Sequence, residues 1–169
     1  MSSKIIQIVT VGRTMIGEKD LYLTPAGKGQ MNNILNSGLL FPNPVKVIAG
    51  TEEYFTEAAK WLGKKIDKHT EICEIDEPYS VPFALLKDAK NTEFCGVVKE
   101  LYDMIINDLP DKSLLVVDCA TVSFSHYPQV KRDFFPGTLI EIKISKDEGH
   151  SEDGFTILFP QTEAAKAVA

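Results

Sequence analysis

The chain has 169 residues, 44% of them hydrophobic and 25% charged, with a formal net charge of −6 and a pI near 5.1. That size and apolar content predict one globular domain, 1–169, with a sizeable core, and the acidic balance excludes an extended nucleic-acid surface, which needs clustered Lys and Arg to neutralise phosphates. No run approaches the roughly 20 apolar residues of a membrane span, nothing at the start resembles a signal peptide, and Cys73, Cys95 and Cys119 make neither a CxxC pair nor an even set, so a reducing, cytoplasmic setting without disulfides, zinc or a cofactor is expected.

Ile5, Ile6, Ile8, Val9 and Val11 form a near-continuous apolar strand of the kind buried on both faces of a parallel sheet, ending at Gly12. Thr24 stands where a helix N-cap belongs, followed by Pro25 at the first helical position, Met31, Ile34 and Leu35 on one face, and Gly38 as the stop. Gly27 and Gly29 are costly in a helix and imply close backbone packing. Val45 to Ala49 reads as a second strand. Thr51, Glu52 and Glu53 then open a helix whose Phe55, Ala58, Ala59 and Leu62 follow helical spacing, closed by Gly63.

His69 to Ile75 is a candidate third strand, and the stretch through Pro78 and Pro82 reads as a loop. Thr92 and Glu93 begin a third helix with Phe94, Val97, Val98, Leu101, Tyr102 and Ile105 facing inward, stopped by Pro110. Leu114 to Val117 is a buried strand delivering Asp118 and Cys119 to its carboxyl end. Ile140, Ile142 and Ile144 alternate with Glu141 and Lys143 as a half-exposed strand does, and Phe155 to Phe159 pairs with it across an acidic loop, Lys146 to Gly154.

Strands alternating with capped helices predict a three-layer α/β/α sandwich with a mainly parallel sheet and an antiparallel edge hairpin. Ligands of open α/β sheets bind outside the carboxyl ends of the strands, so Gly12, Arg13, Asp118 and Cys119 share one cleft if the first and fourth strands are neighbours.

VTVGRT followed by DLYLTPAGKGQM resembles the opening of the histidine phosphatase superfamily, the phosphoglycerate-mutase-like family, written VRHGET and then D-x-x-LT-x-x-G-x-x-QA. Val9, Gly12 and Thr14 match the first motif, and Asp20, Leu23, Thr24, Gly27 and Gln30 match the second. VIAGTEEYFTEAAKWLG is similar to the family's SSPLxRAxxTAxxL segment, SLLVVDCATVS to its VVxHGG strand, and GTLIEIKI with GFTILF to its terminal hairpin. The resemblance implies a phosphoglycerate-mutase-like fold. It also implies a nucleophilic histidine, a second histidine and flanking arginines, and those residues are missing. Thr10 and Val11 stand at the first arginine and the nucleophile, Glu53 or Tyr54 at the second-helix arginine, and Cys119 or Asp118 at the second histidine.

Valine cannot be a nucleophile, and phosphoryl transfer needs positive donors around the equatorial oxygens. The expectation is therefore a catalytically silent protein with a binding, regulatory or interaction role. Its remaining ligand-binding candidates are Gly12, Arg13 and Thr14, whose guanidinium and backbone amides suit a small anion, and a protein partner is the other possibility. One rival is a phosphohydrolase or phosphotransferase rebuilt from Arg13, Asp118, Cys119 and His126, and another is an unrelated small-ligand-binding α/β domain. Cys119 reads as a packed thiol or a nucleophile, and Asp118 as a helix cap, metal ligand or general base. Ser125 stands where a CxxxxxR loop needs its arginine, GKGQ is not a P-loop, and His69, His126 and His150 have no metal-ligand spacing.

Overall fold

A computed structural model describes residues 3–16, 21–70, 92–118, 122, 135–145 and 149–160. In chain order the elements are β1 (Ser3–Thr10), β2 (Thr14–Ile16), β3 (Leu21–Leu23), α1 (Pro25–Asn36), β4 (Val47–Ala49), α2 (Glu53–Trp61), β5 (Lys68–His69), α3 (Thr92–Asp108), β6 (Ser113–Val117), β7 (Leu139–Ser145) and β8 (Gly149–Phe159). A six-stranded sheet runs in the order β5-β4-β6-β1-β7-β8. Its first four strands pair in parallel, and β7 and β8 add two antiparallel strands at the edge. β1 and β6 are neighbours, with Thr10 opposite Val117, as the shared cleft requires.

Alternation along the strands divides the core into two layers, one on each face of the sheet. Val9, Val47, Ala49, Leu114, Val116 and Leu139 bury one face under Met31 and Ile34 of α1 and Phe55, Ala58 and the following Leu62 at α2. Ile6, Ile8, Ile48, Leu115, Val117, Ile140 and Ile142 bury the other against Tyr102, Ile106 and Leu109 at the end of α3. This is the expected three-layer α/β/α arrangement. No helix among the described residues is long and apolar enough to cross a membrane.

The expected punctuation is present. Thr24 caps α1 by accepting from the Gly27 N–H at 3.0 Å, Pro25 opens the helix, and Gly38 and Gly63 follow α1 and α2 with φ of 73° and 70°. Several details differ. Leu35 is 42% exposed, because the inner face of α1 is filled by Met31 and Ile34, and on α3 Ile106 is buried along with Tyr102 while Ile105 is only partly covered. β4 begins at Val47, leaving Val45 exposed, and the acidic stretch expected to be a loop lies largely within β8, which starts at Gly149. Of the third strand, β5 is only Lys68–His69, and the expected continuation over 71–75 lies outside the described residues, as do the Pro78–Pro82 stretch and the inward faces expected at Phe94, Val97 and Val98.

The junction between β1 and α1 is held by backbone contact. A Cβ at Gly12 would overlap the Gly27 carbonyl oxygen, and one at Gly27 would overlap the Arg13 carbonyl oxygen. The loop therefore lies directly on the first turn of the helix. Gln30, one turn further on, accepts from the Arg13 N–H at 2.8 Å, and the Arg13 carbonyl accepts from the Thr24 N–H at 2.9 Å and the Thr24 hydroxyl at 3.1 Å. Between Arg13 and Thr24 the chain makes a small antiparallel ribbon, β2 with β3, that the apolar pattern did not predict.

Two polar side chains of β1 tie the opposite end of the sheet. Gln7 is buried and spans the loop after α1, donating to the Leu39 carbonyl and accepting from the Phe41 N–H, both at 2.8 Å. The Lys4 ammonium donates to the carbonyls of Ile106 at 2.8 Å, Asn107 at 2.6 Å and Leu109 at 2.7 Å, so it satisfies carbonyls that the end of α3 leaves without helical partners. Burial pushes its pKa below the ordinary lysine value while the nearby Asp108 charge opposes that shift.

Gly27→Ala is expected to lower the unfolding free energy by about 3 kcal/mol, because the new methyl meets backbone that cannot step aside. Gly29 faces open space, so Gly29→Ala should raise it by about 0.5–1 kcal/mol, and urea titration of the two variants measures the contrast. Lys4→Met keeps most of the stem but removes the three donors, and the same titration should show a loss of about 1 kcal/mol for this partly exposed group.

Candidate functional site

The carboxyl ends of β1, β6 and β4 lie side by side, and the chain leaves each of them at the same edge of the sheet. The Val11 N–H donates to the Val117 carbonyl at 2.8 Å, and the Gly50 N–H to the Val116 carbonyl at 3.3 Å. Gly12, Arg13 and Asp118 are thereby brought to one edge, as the strand pairing predicted. Asp118 is half-buried and Arg13 is exposed. Cys119 and His126 lie outside the described residues, and so does any helix cap made by Asp118.

Thr10 and Val11, which stand where the resemblance expects an arginine and the nucleophile, are both buried. Val11 belongs to the core layer with Val9, Leu23 and Met31. The Thr10 hydroxyl donates to the Phe135 carbonyl at 2.8 Å and accepts from the Thr138 N–H at 2.8 Å. Its backbone is equally occupied, the N–H donating to the Thr138 carbonyl at 2.9 Å and the carbonyl accepting from the Gly137 N–H at 3.0 Å. A turn over Phe135–Thr138 thus clasps the end of β1. Gly137 has φ of 75° and lies against Gln30, where a Cβ would come within 2.7 Å of the Gln30 Cβ.

This turn is the part of the site that sequence reasoning missed. Its local signal is the Pro136-Gly137 dipeptide, a turn marker in any chain. What that dipeptide cannot reveal is its partner, since Thr10 and Phe135 are separated by 125 residues.

The remaining wall is the start of α2. Glu52 takes the N-cap position without a side-chain hydrogen bond, Glu53 is exposed in the first turn, and Tyr54 is buried with its ring centroid 4.3 Å from that of Phe55. The expected opening at Thr51 is thus shifted by one to two residues. Phe55 also fills the space beside Gly50, where a Cβ would overlap its ring. Further along, Glu57 accepts from the Leu23 N–H at 3.2 Å and pairs with Lys28 at 3.3 Å, and the Lys28 ammonium lies 5.9 Å from the centre of the Trp61 ring. Lys28 is thereby committed to α2, which leaves Arg13, among the described residues, as the cation at the loop. The Thr14 side chain is exposed at the start of β2, on the same loop.

Chemically, the edge offers an exposed guanidinium, a half-buried carboxylate and two exposed glutamates at the neighbouring helix start. His69, the described histidine nearest in the sheet, places Nδ1 3.2 Å from the Gly50 carbonyl. Among the described residues no group of three or more His, Cys, Asp or Glu side chains is arranged to hold a metal ion.

No protein-family model and no curated protein matches the sequence. Solved structures do. TTHB049 from Thermus thermophilus superposes with a TM-score of 0.62 at 17% identity, covering 82% of this chain and 92% of that one. A phosphoglycerate mutase from the same organism gives 0.56 at 13% identity with the same coverage of 82% and 92%. A mycobacterial hydrolase gives 0.56 at 12% identity over 99% of this chain and 97% of its own. At such identities the likeness speaks for the architecture: the chain has a phosphoglycerate-mutase-like α/β fold.

Proposed function

We propose that this chain is a non-catalytic relative of the phosphoglycerate-mutase-like proteins, with a binding, regulatory or interaction role. The observation that supports this reading is the use made of Thr10 and Val11. One is fully hydrogen-bonded to the Phe135–Thr138 turn and the other is packed in the core, so neither presents a group to a phosphoryl centre. Arg13, the backbone around Gly12, and Thr14 are the groups through which a small anion, or an acidic group on a protein partner, would be held.

The reading is tested by assaying the full chain with an aryl phosphate and incubating it with phosphodonors. The expected result is no turnover above the protein-free rate and no acid-labile phosphoprotein. Turnover that disappears in Cys119→Ala or Asp118→Ala would overturn it in favour of a rebuilt phosphohydrolase. A second measurement addresses the scaffold itself. Thr10→Val preserves shape but strands the Thr138 N–H, so it should cost about 1–3 kcal/mol by urea unfolding without conferring activity.

A further inference from the structure

We infer that Met15 is a stereoselective oxidation site, with Tyr22 deciding which face of its sulfur an oxidant reaches. The two residues are directly opposite each other across the β2–β3 ribbon. Met15 is 54% exposed and Tyr22 44% exposed, and the Tyr22 hydroxyl donates to the Met15 sulfur at 3.2 Å. A thioether sulfur carries two lone pairs, either of which can attack a peroxide, and the phenol engages one of them. The other points away from the donor and is the one left to react.

The chemistry balances with hydrogen peroxide as the oxidant. The sulfur lone pair attacks one peroxide oxygen and the O–O bond breaks, giving a hydroxysulfonium and hydroxide; the hydroxide takes the proton of the S–OH group, which leaves the S=O bond and one water. Sulfur is oxidised and peroxide reduced. Because the product sulfur is a stereocentre, attack through one lone pair yields one sulfoxide epimer, and each epimer has its own reductase. Met15 would therefore be repaired mainly by one of the two enzyme classes. The pair is the next one along the ribbon from Thr14 and Leu23, which adjoin the Arg13–Thr24 closure, so the mark falls beside the loop at the candidate site.

The molecule supplies its own controls. Met104 is 55% exposed on α3 and has no hydroxyl partner for its sulfur among the described residues, while Met31 is fully buried. Exposure alone would make Met15 and Met104 behave alike. The hydrogen bond predicts that they differ in stereochemistry.

The test is limited peroxide oxidation of the full-length folded protein. The sample is then divided between a reductase specific for the S epimer and one specific for the R epimer, and residual sulfoxide is quantified at each methionine by peptide mass spectrometry. The expected result is oxidation at Met15 and Met104 ahead of Met31, with one epimer in excess by about twofold or more at Met15, the ratio a hydrogen bond at the weak end of the usual range supports. Met104 should give near-equal epimers. Tyr22→Phe removes the hydroxyl from an exposed ring and should return Met15 to the Met104 ratio. Equal epimers at Met15 in the wild-type chain, or an excess that survives Tyr22→Phe, would overturn the assignment, as would protection of Met15 to the level of Met31.

Discussion

The contact on which the structure depends is the one between two backbones, at Gly12 and Gly27. A strand leaving a parallel sheet must reverse before its helix can pack back across the same face, and here the reversal rests directly on the helix it leads into. Neither position has room for a Cβ, so the approach is set by the van der Waals size of the peptide groups themselves. Once they touch, the rest of the junction follows within hydrogen-bonding distance: Thr24 closes on Arg13, and Gln30 reaches back to the Arg13 N–H. The ribbon β2–β3 is the length of chain that this closure pinches off.

That junction also explains why the fold was legible in the sequence although the chemistry was not. Four of the positions that match the motif, Gly12, Thr24, Gly27 and Gln30, contact backbone or cap it, and Val9 and Leu23 lie in the core. Among the positions that differ are Thr10 and Val11, which stand where the resemblance expects an arginine and a nucleophilic histidine. A pattern built from glycines, a cap and an amide at fixed spacing encodes a shape, and a shape does not by itself carry a chemistry. The periodic burial of β1, α1 and α2 was readable for the same local reason. Met31, Ile34, Phe55, Ala58 and Leu62 reach the core because helical spacing puts them there.

What escaped the sequence was non-local or very short. The clasp of Phe135–Thr138 on Thr10 joins segments 125 residues or more apart in the chain, and nothing near either residue names the other. Lys4 is similar, since a lysine at the start of a strand carries no mark of the helix end it closes. β2 and β3 have three residues each, too few for alternation to register against a background of mixed polar and apolar residues. The start of β8 departs from the loop that an acidic run suggests, because an edge strand tolerates charge on its open side.

The burial of Thr10 and Val11 bears on how this sheet end can change over generations. An arginine at position 10 would have to displace a turn that holds it by four hydrogen bonds from its hydroxyl, N–H and carbonyl, and a histidine at position 11 would enter a layer of apolar side chains. Either substitution taken alone would destabilise the protein, since each replaces a buried side chain with a larger polar one. The clasp therefore constrains this sheet end: a side chain larger than threonine or valine meets the turn or the core layer, whereas the exposed loop and ribbon accept change at a lower cost in stability.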